Sequence, residues 1–198
     1  METGNINQKT NLDQAVDALV ACAAERDRTA EGHSVRVTRY SLVIGKAMNL
    51  DEQELLNLKY AAGLHDIGKV SVSRNILDKI GKLTDDELST LKLHSTIAMK
   101  IVEKIDGLKQ CAPIIKHHHE RFDGKGYPDA LEGAGIPLGS RIIALAEVFD
   151  ILTSEVPWRD AMPDTEALEE IKQCSGTQFD PEVVEAFEFA LTKGALEQ

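Results

Sequence analysis

The sequence predicts an all-α fold, a compact multi-helix bundle, on three observations. Apolar residues recur at helical spacing in one segment after another. Two capping boxes, Asp51 with Glu54 and Thr84 with Glu87, mark helix starts. No stretch of useful length alternates apolar and polar residues in the manner of a strand.

Leu12, Ala15, Val16, Leu19, Val20 and Ala23 predict a first helix from Leu12 to Arg28. Residues 1–11 lack that periodicity and are expected as a tail or linker remnant. A second helix is predicted from about His33 to Met48, with Val35, Tyr40, Leu42 and Val43 available for packing. The Asp51 box opens a helix that carries Leu55, Leu58, Ala62 and Leu64 toward His65. The Thr84 box opens another that contains His94 and runs toward Glu103. Pro113 suits a first helical turn, and the helix it begins is expected to end in His117, His118 and His119.

The stretch from Glu120 to Gly139 is rich in Gly and Pro and reads as a long ordered loop; loops of that length are usually functional. Ser140 is expected to cap a helix through Leu152, and Asp180-Pro181 to open the last one. Phe179, Phe187 and Phe189 are expected in the core. No internal repeat and no second domain is evident, so the domain is expected to span residues 12–192, with 193–198 as a C-terminal tail.

The chain has 198 residues, enough for one sizeable core. Its 22 basic and 33 acidic residues give a net charge of −11, which repels long nucleic acids. A small phosphate ligand stays possible, because a bound metal supplies positive charge locally. No apolar run approaches a membrane span, and the polar N-terminus has no signal-peptide core. Cys22, Cys111 and Cys174 are odd in number and form no CxxC pattern, so they read as reduced structural residues of a cytoplasmic protein.

The chemistry lies in six histidines, His33, His65, His94, His117, His118 and His119. Alone, His33 or His94 reads as a core histidine that has found a hydrogen bond. The pair His65-Asp66 changes that, because it ends an apolar helix where a carboxylate needs a strong cationic partner. A metal is one such partner. Gly68 permits a backbone turn, and Lys69 lies within reach of a substrate phosphate. The strongest feature is HHHERFDGKGYP, residues 117–128. Adjacent histidines at a helix end project roughly 100° apart, which suits two neighbouring ions better than one.

GHSVRV around His33, LHDIGKVSVSRNIL, LTDDE followed by LKLHS, HHHERFDGKGYP, IPLGSRIIALAEVFDILTS and GTQFDPEVVEAF occur in that order between about Leu12 and Ala190. Together they resemble the HD-GYP domain, a subgroup of the HD phosphohydrolase superfamily. The resemblance implies a binuclear metal site of His33, His65, Asp66, His94, His118, His119 and Glu147, with Asp66 shared between two divalent ions. His117 is left over, expected behind the ligands or in solvent. The mixed nitrogen and oxygen set suits iron or manganese better than zinc, since no thiolate contributes.

The resemblance further implies a phosphodiesterase that hydrolyses cyclic di-GMP to pGpG or GMP. Asp66 and Lys69 would be its catalytic residues, and Lys69, Gly126, Tyr127, Pro128 and Arg159 would contact substrate. Two alternatives accompany this reading. One is a catalytically weak signalling module that binds a cyclic dinucleotide or a diguanylate cyclase domain. The other is a phosphodiesterase for another cyclic dinucleotide such as cyclic GMP-AMP. Such domains often follow an N-terminal receiver or sensor domain in a longer chain.

The chain departs from the family pattern at three places. Glu147 stands where the family usually has Asp. Ser154-Glu155-Val156-Pro157-Trp158-Arg159 stands for Ser-x-Arg-Pro-Tyr-Arg, so Val156 replaces an arginine expected on phosphate. Thr29 stands where some members have a Glu that holds a third metal, so two ions are expected. Trp158 is expected at a packing or rim position. Glu120 and Asp123 are expected to orient the histidines, with Asp150 a weaker candidate for that role.

Overall fold

Both capping boxes form. The Asp51 carboxylate accepts from the Glu54 amide at 2.8 Å, while the Glu54 carboxylate accepts from the Asp51 amide at 2.9 Å. Thr84 and Glu87 make the same reciprocal pair at 3.3 and 2.7 Å. These bonds satisfy amides that the first helical turn leaves without partners.

The structure is a computed structural model that describes residues 2–24, 32–155 and 159–195. Thr29, Val156, Pro157 and Trp158, and the expected helix end at Arg28, lie outside the described residues. The described helices are α1 (Glu2–Ala24), α2 (His33–Ala47), α3 (Glu52–Leu64), α4 (Arg74–Leu77), α5 (Asp85–Val102), α6 (Ala112–Lys116), α7 (Leu138–Thr153), α8 (Asp164–Gln173) and α9 (Pro181–Thr192). Short 3-10 turns cover Ile67–Ser71, Lys109–Cys111 and Gly133–Gly135. The described residues form no sheet; an isolated bridge joins Ser175 and Phe179. The all-α expectation holds.

Helix α2 is central, packed against α3, α7 and α9. Val37 and Ile44 of α2, Leu58 and Leu64 of α3, Ile142 and Leu145 of α7, and Phe187 of α9 are fully buried in one core. Tyr40, Phe149 and Phe187 join three helices through edge-to-face ring pairs at 5.1 and 4.8 Å. Helix α5 lies against the Ile67–Ser71 turn and α6, which brings the chain segments that carry histidines to one end of the core.

Several expectations need correction. Residues 2–11, expected as a tail, continue α1 back to Glu2. Extending a helix costs far less than starting one, so the packed part after Leu12 can carry its turns backward without apolar periodicity. Helix α6 ends at Lys116, and the three histidines lie just past it rather than on it. Their rings explain the stop, since His117 Nδ1 bonds Pro113 O and His118 Nδ1 bonds Ile115 O, taking carbonyls that the helix end leaves open.

Ser140 is not a cap. Helix α7 begins two residues earlier after Pro137, and the Ser140 hydroxyl donates to Ile114 O at 2.7 Å, tying α7 to α6. Helix α8 escaped the periodicity reading because only Ala167 and Ile171 are buried in an otherwise charged segment. Phe179 and Phe187 are core residues, but Phe189 is 57% exposed. The cysteines are unbridged, as expected.

Candidate metal centre

Seven side chains from distant parts of the sequence converge where α2, α3, α5, α7 and the turn after α6 meet. His33, His65 and Asp66 form one group, His94, His118 and His119 a second, and His65, His118 and Glu147 a third. Within each group the candidate ligand atoms lie within 4.8 Å of one another. All seven residues that the sequence proposed as metal ligands are therefore brought together.

Backbone carbonyls fix how three of the rings present themselves. The Nδ1 atoms of His65, His94 and His118 bond Ala62 O, Leu91 O and Ile115 O at 2.7, 2.7 and 2.6 Å. A carbonyl accepts only, so each Nδ1 carries the proton and each Nε2 keeps its lone pair. The lone pairs of His94 and His118 face each other, Nε2 to Nε2, at 3.4 Å, and His94 Nε2 is also 3.2 Å from His119 Nε2.

Asp66 lies between the groups, with Oδ2 3.4 Å from His65 Nε2 and Oδ1 3.4 Å from His94 Nε2. His65 Nε2 and Asp66 Oδ1 are buried without a hydrogen-bond partner. Facing lone pairs repel unless a cation separates them. Ligand atoms about 2.1 Å from one cation, at octahedral to tetrahedral angles, lie about 3.0–3.4 Å apart, and the spacings here match. The residues fit divalent metal.

Burial holds His65, His94 and His118 below the usual imidazole range, His118 well below, and pushes His119 down to about 4. These rings are neutral at pH 7, the form that binds metal. His33 behaves oppositely: burial lowers it, but its bond to Asp150 and the charges of Asp66 and Glu147 outweigh that and raise it. Burial pushes the Asp66 carboxyl up, yet His65, Lys69, His94 and His118 together hold it well below its ordinary value. Glu147 is raised, chiefly by burial.

The surroundings amend several sequence expectations. Gly68 lies in the Ile67–Ser71 turn without a positive φ, so the turn itself does not require glycine there. A Cβ at Gly68 would lie 1.9 Å from His94 O and 2.8 Å from Ala98 N. Its missing side chain lets the Ile67–Ser71 turn lie flat on α5, which sets Asp66 beside His94. Gly126 acts similarly, since a Cβ there would meet Arg121 N at 2.3 Å.

Glu120 and Asp123 do not orient histidines. Glu120 Oε1 accepts from the Asp129 amide at 2.7 Å, and Asp123 pairs with Arg121 at 2.9 Å. Asp150, the weaker candidate, does the orienting, because its carboxylate bonds His33 Nδ1 at 2.7 Å. His117 stays out of the cluster and bonds Asp129 at 3.0 Å.

Of the expected substrate contacts, Lys69 and Tyr127 border the cluster. Lys69 Nζ is 2.8 Å from Asp66 Oδ2. The Tyr127 ring stacks on His119 at 4.8 Å and 27°, and the Tyr127 amide bonds His119 O at 3.3 Å, with Gly126 and Pro128 flanking it. Arg159 instead donates to Ile151 O, one turn past Glu147 on α7, and makes no contact with the cluster among the described residues. Arg36 and Asp129 went unnoticed in the sequence. Arg36 follows His33 by three residues, a spacing that places both on one helix face. Nothing in the sequence signals Asp129.

Known proteins agree with this architecture. Residues 7–183 match the HD domain family. A Thermotoga maritima protein named cyclic di-GMP phosphodiesterase is 38% identical over 178 residues, covering 89% of this chain and 48% of its own length. A Vibrio cholerae protein named 3'3'-cGAMP-specific phosphodiesterase 3 is 40% identical over 160 residues, covering 81% of this chain and 35% of its own. The chain thus spans half the length or less of these relatives.

Among solved structures, a cyclic GMP-AMP specific phosphodiesterase of V. cholerae aligns with a TM-score of 0.70 at 24% identity, over 89% of this chain and 48% of that one. An HD-GYP protein from Bdellovibrio bacteriovorus aligns at 0.66 and 19% identity, over 84% and 53%. No described helix is long and apolar enough to cross a membrane. With the His65-Asp66 pair at the centre of its histidine cluster and the match running through nearly all of its length, the chain belongs to the HD domain family.

Proposed function

We propose that the chain is a divalent-metal-dependent phosphodiesterase acting on a cyclic dinucleotide. The observation that carries this reading is the facing of unpaired Nε2 and carboxylate atoms around Asp66, at spacings that suit shared cations. His33, His65 and Asp66 would hold one ion, and His94, His118 and His119 a second, with Asp66 positioned for both and Glu147 closing the site against His65 and His118. Iron or manganese suits this nitrogen and oxygen set.

Bound there, a pair of divalent ions supplies Lewis acidity and concentrated positive charge for in-line attack at phosphorus. The chain's own groups do the rest. Asp150 holds His33 by its Nδ1, and the three helix carbonyls hold His65, His94 and His118, so the nitrogens are aimed before any ion arrives. Lys69, fixed by Asp66, places a cation beside the cluster where negative charge develops on a transferring phosphoryl group. Tyr127, pinned against His119, forms one wall of the site.

Cyclic di-GMP is the substrate we assign first, after the name of the Thermotoga relative; the name of the Vibrio relative favours 3'3'-cGAMP as the second. Glu147 lies among the ligands despite replacing Asp, which speaks against the weak-module alternative. Loading the protein anaerobically with iron or manganese and offering both dinucleotides side by side tests the reading. Turnover abolished by Asp66→Ala is the expected result. Full metal occupancy without cleavage of either dinucleotide would overturn it.

A further inference from the structure

We propose that Lys92 is a specificity residue whose ammonium receives the second phosphodiester of a cyclic dinucleotide while the first lies at the histidine cluster; this rests on the function proposed above. A cyclic dinucleotide carries two phosphodiesters and therefore two negative charges. Only one can occupy the metal centre. The other must be received by a chain whose net charge is −11, where an unpaired phosphate meets repulsion unless a cation is set aside for it.

Lys92 is such a cation. It lies on α5 two residues before His94, is exposed, and has its ammonium 5.0 Å from the Tyr127 ring centroid. That ring is in turn 4.8 Å from the His119 ring of the cluster. The other lysines bordering the site are already paired, Lys69 with Asp66 at 2.8 Å and Lys116 with Asp129 at 2.5 Å. Lys92 pairs with no carboxylate among the described residues; the Tyr127 ring is its partner.

A cation–π contact at an exposed position is weak, whereas a bond between an ammonium and a phosphate oxygen is charge-assisted and stronger. The ring therefore parks the ammonium beside the cluster and yields it to an arriving phosphate. Arg159, expected from the sequence to contact substrate, is engaged by the Ile151 carbonyl.

The test compares metal-loaded wild type with Lys92→Ala and Lys92→Arg, using Lys100→Ala, an exposed lysine farther along α5, as control. Binding of a phosphorothioate analogue of cyclic di-GMP is read by equilibrium dialysis. Kinetics are read on cyclic di-GMP and on bis(p-nitrophenyl) phosphate, which has a single phosphodiester. Lys92→Ala should weaken binding and raise KM for the dinucleotide about tenfold, with the change in KM rather than kcat.

The kcat/KM ratio of dinucleotide to single diester should fall by the same factor. Lys92→Arg should stay within about threefold of wild type, since both side chains offer a cation with several donors. Lys100→Ala should shift neither substrate. Unchanged affinity in Lys92→Ala, or equal losses on both substrates, would overturn the proposal. If the wild type binds the analogue but cleaves nothing, the phosphodiesterase reading fails while the dialysis comparison still decides Lys92. If the wild type binds nothing, both fall.

Discussion

His33 and Asp150 are 117 positions apart in sequence, yet the Asp150 carboxylate accepts from His33 Nδ1 at 2.7 Å inside the core. The same carboxylate takes two bonds from Arg36, at 2.5 and 3.1 Å, so its charge is balanced from one turn along α2. The bond ties α2 to α7 and leaves His33 Nε2 for the cluster. Removing such an orienting partner typically costs a metal ligand 10- to 100-fold in affinity. Asp150→Ala should therefore weaken binding of the ion held by His33, His65 and Asp66 by about 10- to 100-fold. Asp150→Asn, which keeps a carbonyl acceptor for Nδ1, should lose less. Competition with a graded chelator, followed by elemental analysis, separates the two variants. Equal loss in both would show that the bond to Nδ1 is not what matters.

Gly68→Ala should be the most damaging single methyl in the chain. Its Cβ would meet the His94 carbonyl at 1.9 Å, and both partners are backbone, so no side chain can swing away. Overpacking of this kind costs about 3 kcal/mol, which for a chain of this size lowers Tm by about 6–12 °C. The turn must lift off α5, separating Asp66 from His94. Loss of metal in the folded fraction should accompany the loss of stability. A variant as stable as wild type with full metal content would contradict the close-approach role.

The cluster was legible in the sequence because each of its seven side chains sits in a distinctive motif, and all seven positions meet in space. Helix starts were legible where side chains make the caps, as at Asp51, Thr84 and Asp180. What escaped depends on contacts between segments far apart in sequence. Gly68 looked like a turn residue because the backbone it approaches, at His94, lies on another helix. Asp150 ranked below Glu120 and Asp123 because proximity to the histidine run favoured them, while the partner it actually serves is on α2. Ser140 looks like a cap because Pro137, which already starts the helix, falls within the Gly- and Pro-rich stretch.

The loop that carries Tyr127 is held from behind by Asp129. Its carboxylate bonds Lys116 at 2.5 Å and His117 at 3.0 Å, and its amide donates to Glu120 at 2.7 Å. The first histidine of the run, His117, thus clasps the loop. The carboxylate is largely exposed, and exposed pairs contribute only about 0–1 kcal/mol, so Asp129→Ala should shift Tm by no more than about 2–4 °C. Local opening should change more than global stability. Tryptic cleavage at Lys125 should accelerate, and KM for the dinucleotide should rise as Tyr127 loosens from His119. Unaltered cleavage at Lys125 would show that the clasp does not hold the loop.

Acid should strip the two proposed ions in separate steps. Metal binds imidazole only in its neutral form, so a proton competes wherever a ligand's pKa is approached from above. His33 is raised above the usual imidazole value, mainly because its bond to Asp150 and nearby carboxylates outweigh the burial that lowers it. His33 should therefore be the first ligand protonated as pH falls, and the ion it shares with His65 and Asp66 should leave in mildly acidic buffer. The second group resists, because burial depresses His94 and His118 and holds His119 at about 4. Its ion should persist to a distinctly lower pH. The metal-free fold should respond in the opposite sense at His33: a raised folded-state pKa contributes stability that is complete below the unfolded value and is lost as pH rises through the folded one. Dialysis at stepped pH with elemental analysis at each step reads the release directly. Loss of both ions in a single step would mean that the two groups bind as one indivisible centre, and the difference between His33 and His119 would then have no consequence for metal retention.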